Sequence, residues 1–373
     1  MLELRLIRST KQLRDAAELW DDLWRRSAVA APSARAEMVA MWVDHFAPTA
    51  NFQALVVEED GRYLAALPLI TRSLQGVVKV AALPCNDWSA SGDLLLDEAA
   101  DFPHVLRTLV GGLAEIDGRL LWLEQVALDE PRWQAFLSAC STAGLNASAR
   151  EHFRVGQVEI NRTWDQYEAS RKGDHRRSRR RYSKLLEQAG GAELKTYRPS
   201  VNETEALVRA GFEVEDRSWK GANGTSVLKT PGLFEFLAEE AKLLAGWNHL
   251  ELNFLEHRGQ PIAFEYGWQS KQVHFLPKLG YDDAFSKFGP GQQLVMRVLE
   301  RLHTSGEVKL FDFWGPMVAW NESWSTRSYA VGRVVVATPG AVGRGLFHAY
   351  ENWHPRLRRL KQRFRKPAAT PTA

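Results

Sequence analysis

The chain has 373 residues, 45% of them hydrophobic and 25% charged, with 48 Lys and Arg against 45 Asp and Glu for a net charge of +3. That balance excludes a disordered chain or a general polycation and allows about two domains with cores of their own. Two cysteines, Cys85 and Cys140, give neither a disulfide framework nor a metal-ligand spacing. A reducing, cytoplasmic setting without a metal is expected, with no signal peptide and no apolar run long enough to span a bilayer.

In chain order, LELRLI (2–7) reads as a strand, followed by helical periodicity over 11–26 and 34–46. FQALVVEEDGRYLAALPLIT (52–71) reads as a hairpin turning at Asp60-Gly61. Strands at 77–83 and 93–96 precede helices at 102–115 and 131–143, with the strand LLWLEQV (120–126) between them. One long helix is expected over 163–189, carrying the basic run RKGDHRRSRRRYSK (171–184). ELKTYR (193–198) is a strand, helices follow at 202–217 and 231–246, and 249–279 is a three-strand meander turning at Arg258-Gly259 and Ser270-Lys271. A helix from near Gly291 to Thr304, strands at 308–314 and 332–338, and a helix from Ala341 into a second basic run, RLRRLKQRFRK (356–366), complete the chain.

Each half therefore runs strand, two helices, meander, helix, strand. Helices covering mostly antiparallel sheets give an α+β fold built twice over. The expected division is an N-terminal half at 1–155, a basic connecting helix at 156–190, a C-terminal half at 191–345 and a basic C-terminal helix with its tail at 346–373.

Four stretches carry chemistry. In GYDDAFSKFGPGQQLVMRVLERL (280–302), Gly289 and Gly291 permit unusual dihedrals and close backbone approach. The helix behind them has an apolar stripe at Leu294, Val295, Val298 and Leu302. Its first turn points free N–H groups outward, which suits a phosphate; a plain tight loop with Pro290 at the helix start fits the residues as well. The two basic runs suit phosphates, anionic lipid or acidic glycans, and equally a solvated helix face. SWKGANGT (218–225) places Trp219 and Lys220 just before two flexible glycines, as a stacking face and a cation at a cleft rim or as an ordinary helix end.

Taken together, SWKGANGTSV (218–227), LELNFLEHRGQPIAFEYGW (250–268), KLGYDDAFSKFGPGQQL (278–294) and FDFWGPMVAWNESW (311–324) resemble bacterial acetyltransferases linked to cellulose and exopolysaccharide biosynthesis. These are members of the GNAT superfamily, distantly similar to Fem-type peptidyltransferases. The N-terminal stretch 58–96 and the Arg-rich segment 170–190 resemble the family too, so that the likeness covers about residues 2–340.

The resemblance implies two GNAT-like halves with acetyl-CoA, as acyl donor, bound in the second. The donor loop carries over onto Lys287, Phe288, Gly289, Gly291, Gln292 and Gln293. Ser286 stands where the superfamily has Gln or Arg, which keeps an aminoacyl-tRNA donor, as in the Fem-type relatives, as an alternative. The implied acceptor is an amine or hydroxyl of a sugar, sugar nucleotide or small amine, met by Trp219, Lys220, Arg176 and Arg180. GNAT-type transfer needs alignment, an oxyanion donor and a base. Asp312 is the first candidate base, followed by Glu265 and Tyr281. A third possibility is a catalytically idle partner of a polysaccharide synthase, docked peripherally on the anionic inner membrane by the basic tail. No DNA partner is expected.

Overall fold

The computed structural model describes residues 1–74 and 76–364, with side chains described to residue 352. In chain order the elements are β1 (Glu3–Ile7), α1 (Thr10–Asp15), α2 (Ala17–Arg26), α3 (Ala36–Phe46), β2 (Phe52–Glu59), β3 (Arg62–Leu74), β4 (Val78–Ala82) and β5 (Leu95–Leu96). Then come α4 (Phe102–Gly111), β6 (Leu120–Ala127), α5 (Pro131–Thr142), β7 (Ala147–Glu159), α6 (Trp164–Ala169), α7 (Gly173–Gln188), β8 (Glu193–Tyr197), α8 (Val201–Asp216), α9 (Trp219–Ala222) and α10 (Leu233–Gly246). The last are β9 (Leu250–His257), β10 (Gln260–Ser270), β11 (Val273–Tyr281), α11 (Pro290–Ser305), β12 (Leu310–Pro316), α12 (Ala319–Glu322), β13 (Arg327–Ala337) and α13 (Ala341–Phe364).

The chain divides into two compact units, one of residues 1–28, 35–152 and from 332 onward, the other of 29–34 and 153–331. In the first, β1, β2, β3 and β4 are joined antiparallel and β6 adds parallel to β4, with β5 beside β3. In the second, β8, β9, β10 and β11 are joined antiparallel, β12 adds parallel to β11, and β7 runs antiparallel to β12. The same strand order, with helices between the first strand and the meander and one helix before the parallel strand, is thus used twice. The mixed fold of helix-covered sheets expected from the sequence is the one observed.

The second unit shows why its sequence folds this way. Arg258-Gly259 has φ of +53° and +76°, the left-handed pair that a two-residue hairpin turn demands. The following turn falls one residue later than expected, on Lys271 and Gln272 at +44° and +62°. On one sheet face, Phe264 and Tyr266 of β10 pack on Phe212 of α8. On the other, Leu294, Val295, Val298 and Leu302 of α11 are buried with Leu276 of β11 and Phe311 and Phe313 of β12, so the stripe read from the sequence is the core face.

Three further expectations change. The single helix over 163–189 is two, α6 and α7, broken at Ser170–Lys172. The helix over 11–26 is likewise α1 and α2. The strand β7, 13 residues long, has no counterpart in the sequence reading. The basic run 356–366 falls where side chains, and beyond 364 the backbone, lie outside the described residues.

Candidate active site

The site is set by a fork in the second sheet. β11 and β12 pair in parallel only over Val273–Leu310, His274–Phe311 and Phe275–Asp312. Beyond these pairs β11 stays with β10 while β12 continues along β7. Two irregularities open the fork. On β11, Leu276 and Pro277 together oppose one residue of β10, because the register steps from Trp268–Phe275 to Tyr266–Lys278. On β12 the pairing with β7 shifts between Asp312 and Pro316, where Trp314 has a φ of +55°.

Strand geometry gives the fork its backbone groups. The Asp282 N–H donates to the Ile262 carbonyl across to β10 at 3.0 Å. Even-numbered residues at this end of β11 therefore face β10, and Leu279 and Tyr281 present their N–H and C=O to the open side. The Leu279 carbonyl does accept from there, from Lys220 Nζ at 3.0 Å.

Asp312 stands at the root of the fork, 2% exposed. Its Oδ2 accepts from Gln157 Nε2 at 2.7 Å and its Oδ1 from the Trp314 N–H at 2.7 Å. Burial pushes its carboxyl from 3.8 up to about 6, against the opposing pull of hydrogen bonds from Gln157, Trp314 and Tyr329. It alternates with Phe311 and Phe313, so its side chain lies on the face opposite α11. Phe275, Trp268 and Trp314 form an aromatic corner, with ring centroids 5.2–6.2 Å apart.

The other predicted bases lie elsewhere. Glu265 is fully buried, with Oε1 2.5 Å from His274 Nε2. His274 in turn stacks on Phe311 and lies 3.5 Å from Glu251, which is also paired with Arg301 and Arg198. Burial alone would raise the Glu251 carboxyl, but the charges of His274 and Arg301 and hydrogen bonds from Asn253 and Arg198 hold it down at about 2. Glu265 therefore sits in a closed polar network beneath α11, on the face away from Asp312. Tyr281 is half-buried beside the donor loop, its Cδ1 3.4 Å from where a Cβ on Gly291 would lie, and burial raises its phenol.

At the loop, Gly289 adopts φ +59° and caps α11, whose first hydrogen bond runs from the Gln293 N–H to the Gly289 carbonyl at 2.9 Å. The N–H groups of Gly291 and Gln292 have no partner among the described residues. Gln293 is fully buried; its Oε1 accepts from Ser183 Oγ at 3.2 Å and its Nε2 has no partner among the described residues. Phe288 is 7% exposed and anchors the loop in the core, and Lys287 Nζ lies 4.8 Å from the centre of its ring.

Lys220 is held by Glu215 at 2.6 Å and by the Leu279 carbonyl, at the edge of the fork, while Trp219 is 53% exposed. The two glycines of SWKGANGT act differently: a Cβ on Gly221 would lie 1.8 Å from the Asp216 carbonyl oxygen, and Gly224 needs φ +70°. Of the arginines, Arg180 is exposed and Arg176 half-buried on α7. Between them Arg179, 2% exposed, is ion-paired to Glu168 and lies over the rings of Trp164 and Trp324 at 5.5 and 5.1 Å, so part of the basic run is core.

The structure thus gathers Lys287, Gly289, Gly291, Gln292, Gln293 and Tyr281 at the start of α11, and places Asp312 and Lys220 at the fork. It adds Gln157, whose Oε1 is fixed by Arg327 Nε at 2.8 Å, and Lys278 of β11, paired with Tyr266 of β10, whose ammonium burial lowers to about 8 against the opposing pull of Glu215. Neither was read from the sequence. Gln157 lies on the unrecognised strand, where only the pair Val155 and Val158 hints at β structure. Among the described residues no group of side chains could hold a metal.

Residues 173–322, from the start of α7 through α12, match the family described as acetyltransferase (GNAT) domain. The match lies within the second unit. Over nearly its whole length the chain is similar in fold to FemX, at 9% identity, covering 94% of this chain and 100% of that one with a TM-score of 0.59. It is similar to a conserved protein of unknown function from Bacteroides thetaiotaomicron VPI-5482, at 11% identity, 91% and 100% coverage and a TM-score of 0.55. The C-terminal domain of a putative lysylphosphatidylglycerol synthetase from Agrobacterium fabrum is also similar, at 14% identity, 90% and 96% coverage and a TM-score of 0.50. No curated protein matches.

Proposed function

We propose that the second unit transfers an acyl group, acetyl from acetyl-CoA, to an amine or hydroxyl. The observation that carries this is the fork between β11 and β12, with Asp312 at its root and the partner-free N–H groups of Gly291 and Gln292 at its side. In this reading those N–H groups hold the donor's pyrophosphate. Acetyl-CoA supplies an activated carbonyl. The fork-facing backbone of Leu279 and Tyr281 aligns it and offers N–H groups to the developing oxyanion. The nucleophile enters on the opposite face, and Asp312 takes its proton. A carboxyl near 6 is mostly ionised at neutral pH yet basic enough to accept one.

The narrower reading, a saccharide acceptor in exopolysaccharide or cellulose synthesis, rests on the motif resemblance in the sequence, with exposed Trp219 as the stacking face. An aminoacyl-tRNA donor is the second reading, favoured by the exposed arginines on α7. Peripheral contact with anionic membrane or a polysaccharide synthase is proposed for the basic tail alone.

The test is release of free CoA from acetyl-CoA, scanned over amino sugars, sugar nucleotides and small amines. Acceptor-dependent release that disappears in Asp312→Asn is expected. No release with any acceptor, together with transfer from an aminoacyl-tRNA, would overturn the acyl-CoA reading.

A further inference from the structure

The basic helix α7 has a face that packing does not explain. Between Asp174 and Glu187 its sequence holds no acidic residue. Arg177 pairs with Asp174 and Arg179 with Glu168, but Arg180, Arg181 and Lys184 are exposed and have no ion-pair partner among the described residues. On a helix, Arg181 and Lys184 at (i, i+3) and Arg180 and Lys184 at (i, i+4) repel, and a bound anion would offset them.

The contacts of α7 place the helix against the donor loop. Tyr182 packs flat against Gly289: a Cβ there would lie 2.9–3.1 Å from three atoms of its ring. Ser183 donates to Gln293 in the first turn of α11, and Leu186 joins Phe288 in one core cluster. The guanidinium of Arg181 lies 4.9 Å from the centre of that same Tyr182 ring. Arg181 is thus one aromatic ring away from the glycine that starts α11. Two residues before Gly289, Lys287 is a second exposed cation without an ion pair among the described residues. The fully buried Gln293, with its Nε2 donor unsatisfied among the described residues, lies at the seam between the two helices.

We propose that Arg181 of α7 and Lys287 of the loop clamp the phosphates of the nucleotide part of the acyl donor, making the basic helix one wall of the donor site. This rests on the acyl-CoA reading above. The glycine has a second duty in it: its bare Cα admits Tyr182, and through that ring the helix brings its charge to the phosphates. Arg180 and Lys184, on the same surface, extend the positive field outward.

The test is calorimetric titration of the full chain with CoA, dephospho-CoA and a 20-nucleotide RNA, comparing the wild type with Arg181→Gln, Lys287→Gln and, in the first unit, the exposed Arg107→Gln. Loss of one charge-assisted contact predicts about tenfold weaker CoA binding in each of the first two, with a flatter salt dependence. Arg107→Gln should bind as the wild type. A deficit seen with CoA but not with dephospho-CoA assigns the contact to the 3′-phosphate; a deficit with both assigns it to the pyrophosphate. Wild-type CoA affinity in both Arg181→Gln and Lys287→Gln overturns the clamp. So does RNA binding that falls in Arg181→Gln while CoA binding does not, which would make α7 a nucleic-acid face. A wild type that binds no CoA overturns the function beneath it as well.

Discussion

Asp312→Asn separates chemistry from folding. The side chain is buried and accepts from Gln157 and from the Trp314 N–H. Gln157 cannot turn its oxygen toward a new donor, because that oxygen is held by Arg327. Of its three donors, Gln157, Trp314 and Tyr329, the introduced amide must face at least one with its own NH2, at a cost of about 1–3 kcal/mol. Against this, burial has raised the carboxyl from 3.8 to about 6, and removing the charge at neutral pH returns about 3 kcal/mol by the usual ~1.4 kcal/mol per pH unit. The two nearly cancel, so the variant should melt within a few degrees of the wild type and bind CoA equally well. Turnover should fall by about 10²–10⁴, the usual contribution of a general base.

The pH dependence has a definite sign. With the carboxyl at about 6, wild-type kcat/KM should fall tenfold per pH unit below about 6 and level above it, and the variant should lack that limb. Stability runs the other way. Because the folded-state pKa is raised, the folded protein binds the extra proton between about pH 4 and 6, and the wild type gains stability relative to the variant as pH falls through that window. Turnover within threefold of the wild type, or a limb that survives in the variant, would refute the role given to Asp312.

Gly291→Val should weaken CoA binding by more than tenfold, since its methyls would press on Tyr281 and Leu279 from a Cβ already 3.4 and 3.6 Å from them; overpacking should cost about 1–3 kcal/mol, whereas Gly291→Ala should bind and fold normally, all read by calorimetry and thermal melts. Glu265→Ala should lose about 3–5 kcal/mol in denaturant unfolding, by leaving His274 and its partners uncompensated, while the folded fraction keeps its turnover. Lost turnover at unchanged stability would return Glu265 to the chemistry. A chain ending at Pro355 should bind anionic vesicles less than the full chain, at about 1 kcal/mol per basic residue removed, and equal partitioning of the two would refute membrane contact by the tail.

What the sequence made legible was local. Asp60-Gly61 and Arg258-Gly259 marked two hairpins because only a left-handed pair closes such turns, and both adopt positive φ. Gly289-Pro290 marked the start of α11, and the apolar stripe behind it marked its core face. The strand β7 was hidden because Arg150, Glu151, His152, Arg154, Gln157 and Glu159 break any alternation. Their partners explain them and are distant in sequence: Arg150 meets Glu351, Arg154 meets Ser328, and Gln157 meets Asp312. The role of Glu265 was obscured in the same way, since alternation shows which face a carboxylate is on and not whether a histidine waits there. The contact of Tyr182 with Gly289 joins residues more than a hundred positions apart, and no local pattern announces it.

The most direct test of the donor site is a crystal structure of the full chain with CoA. The expected result is the pyrophosphate on the N–H groups of Gly291 and Gln292 and the thiol arm in the fork between β11 and β12, ending near Asp312. CoA bound away from α11, or a fork closed by pairing of β11 to β12 beyond Asp312, would contradict it.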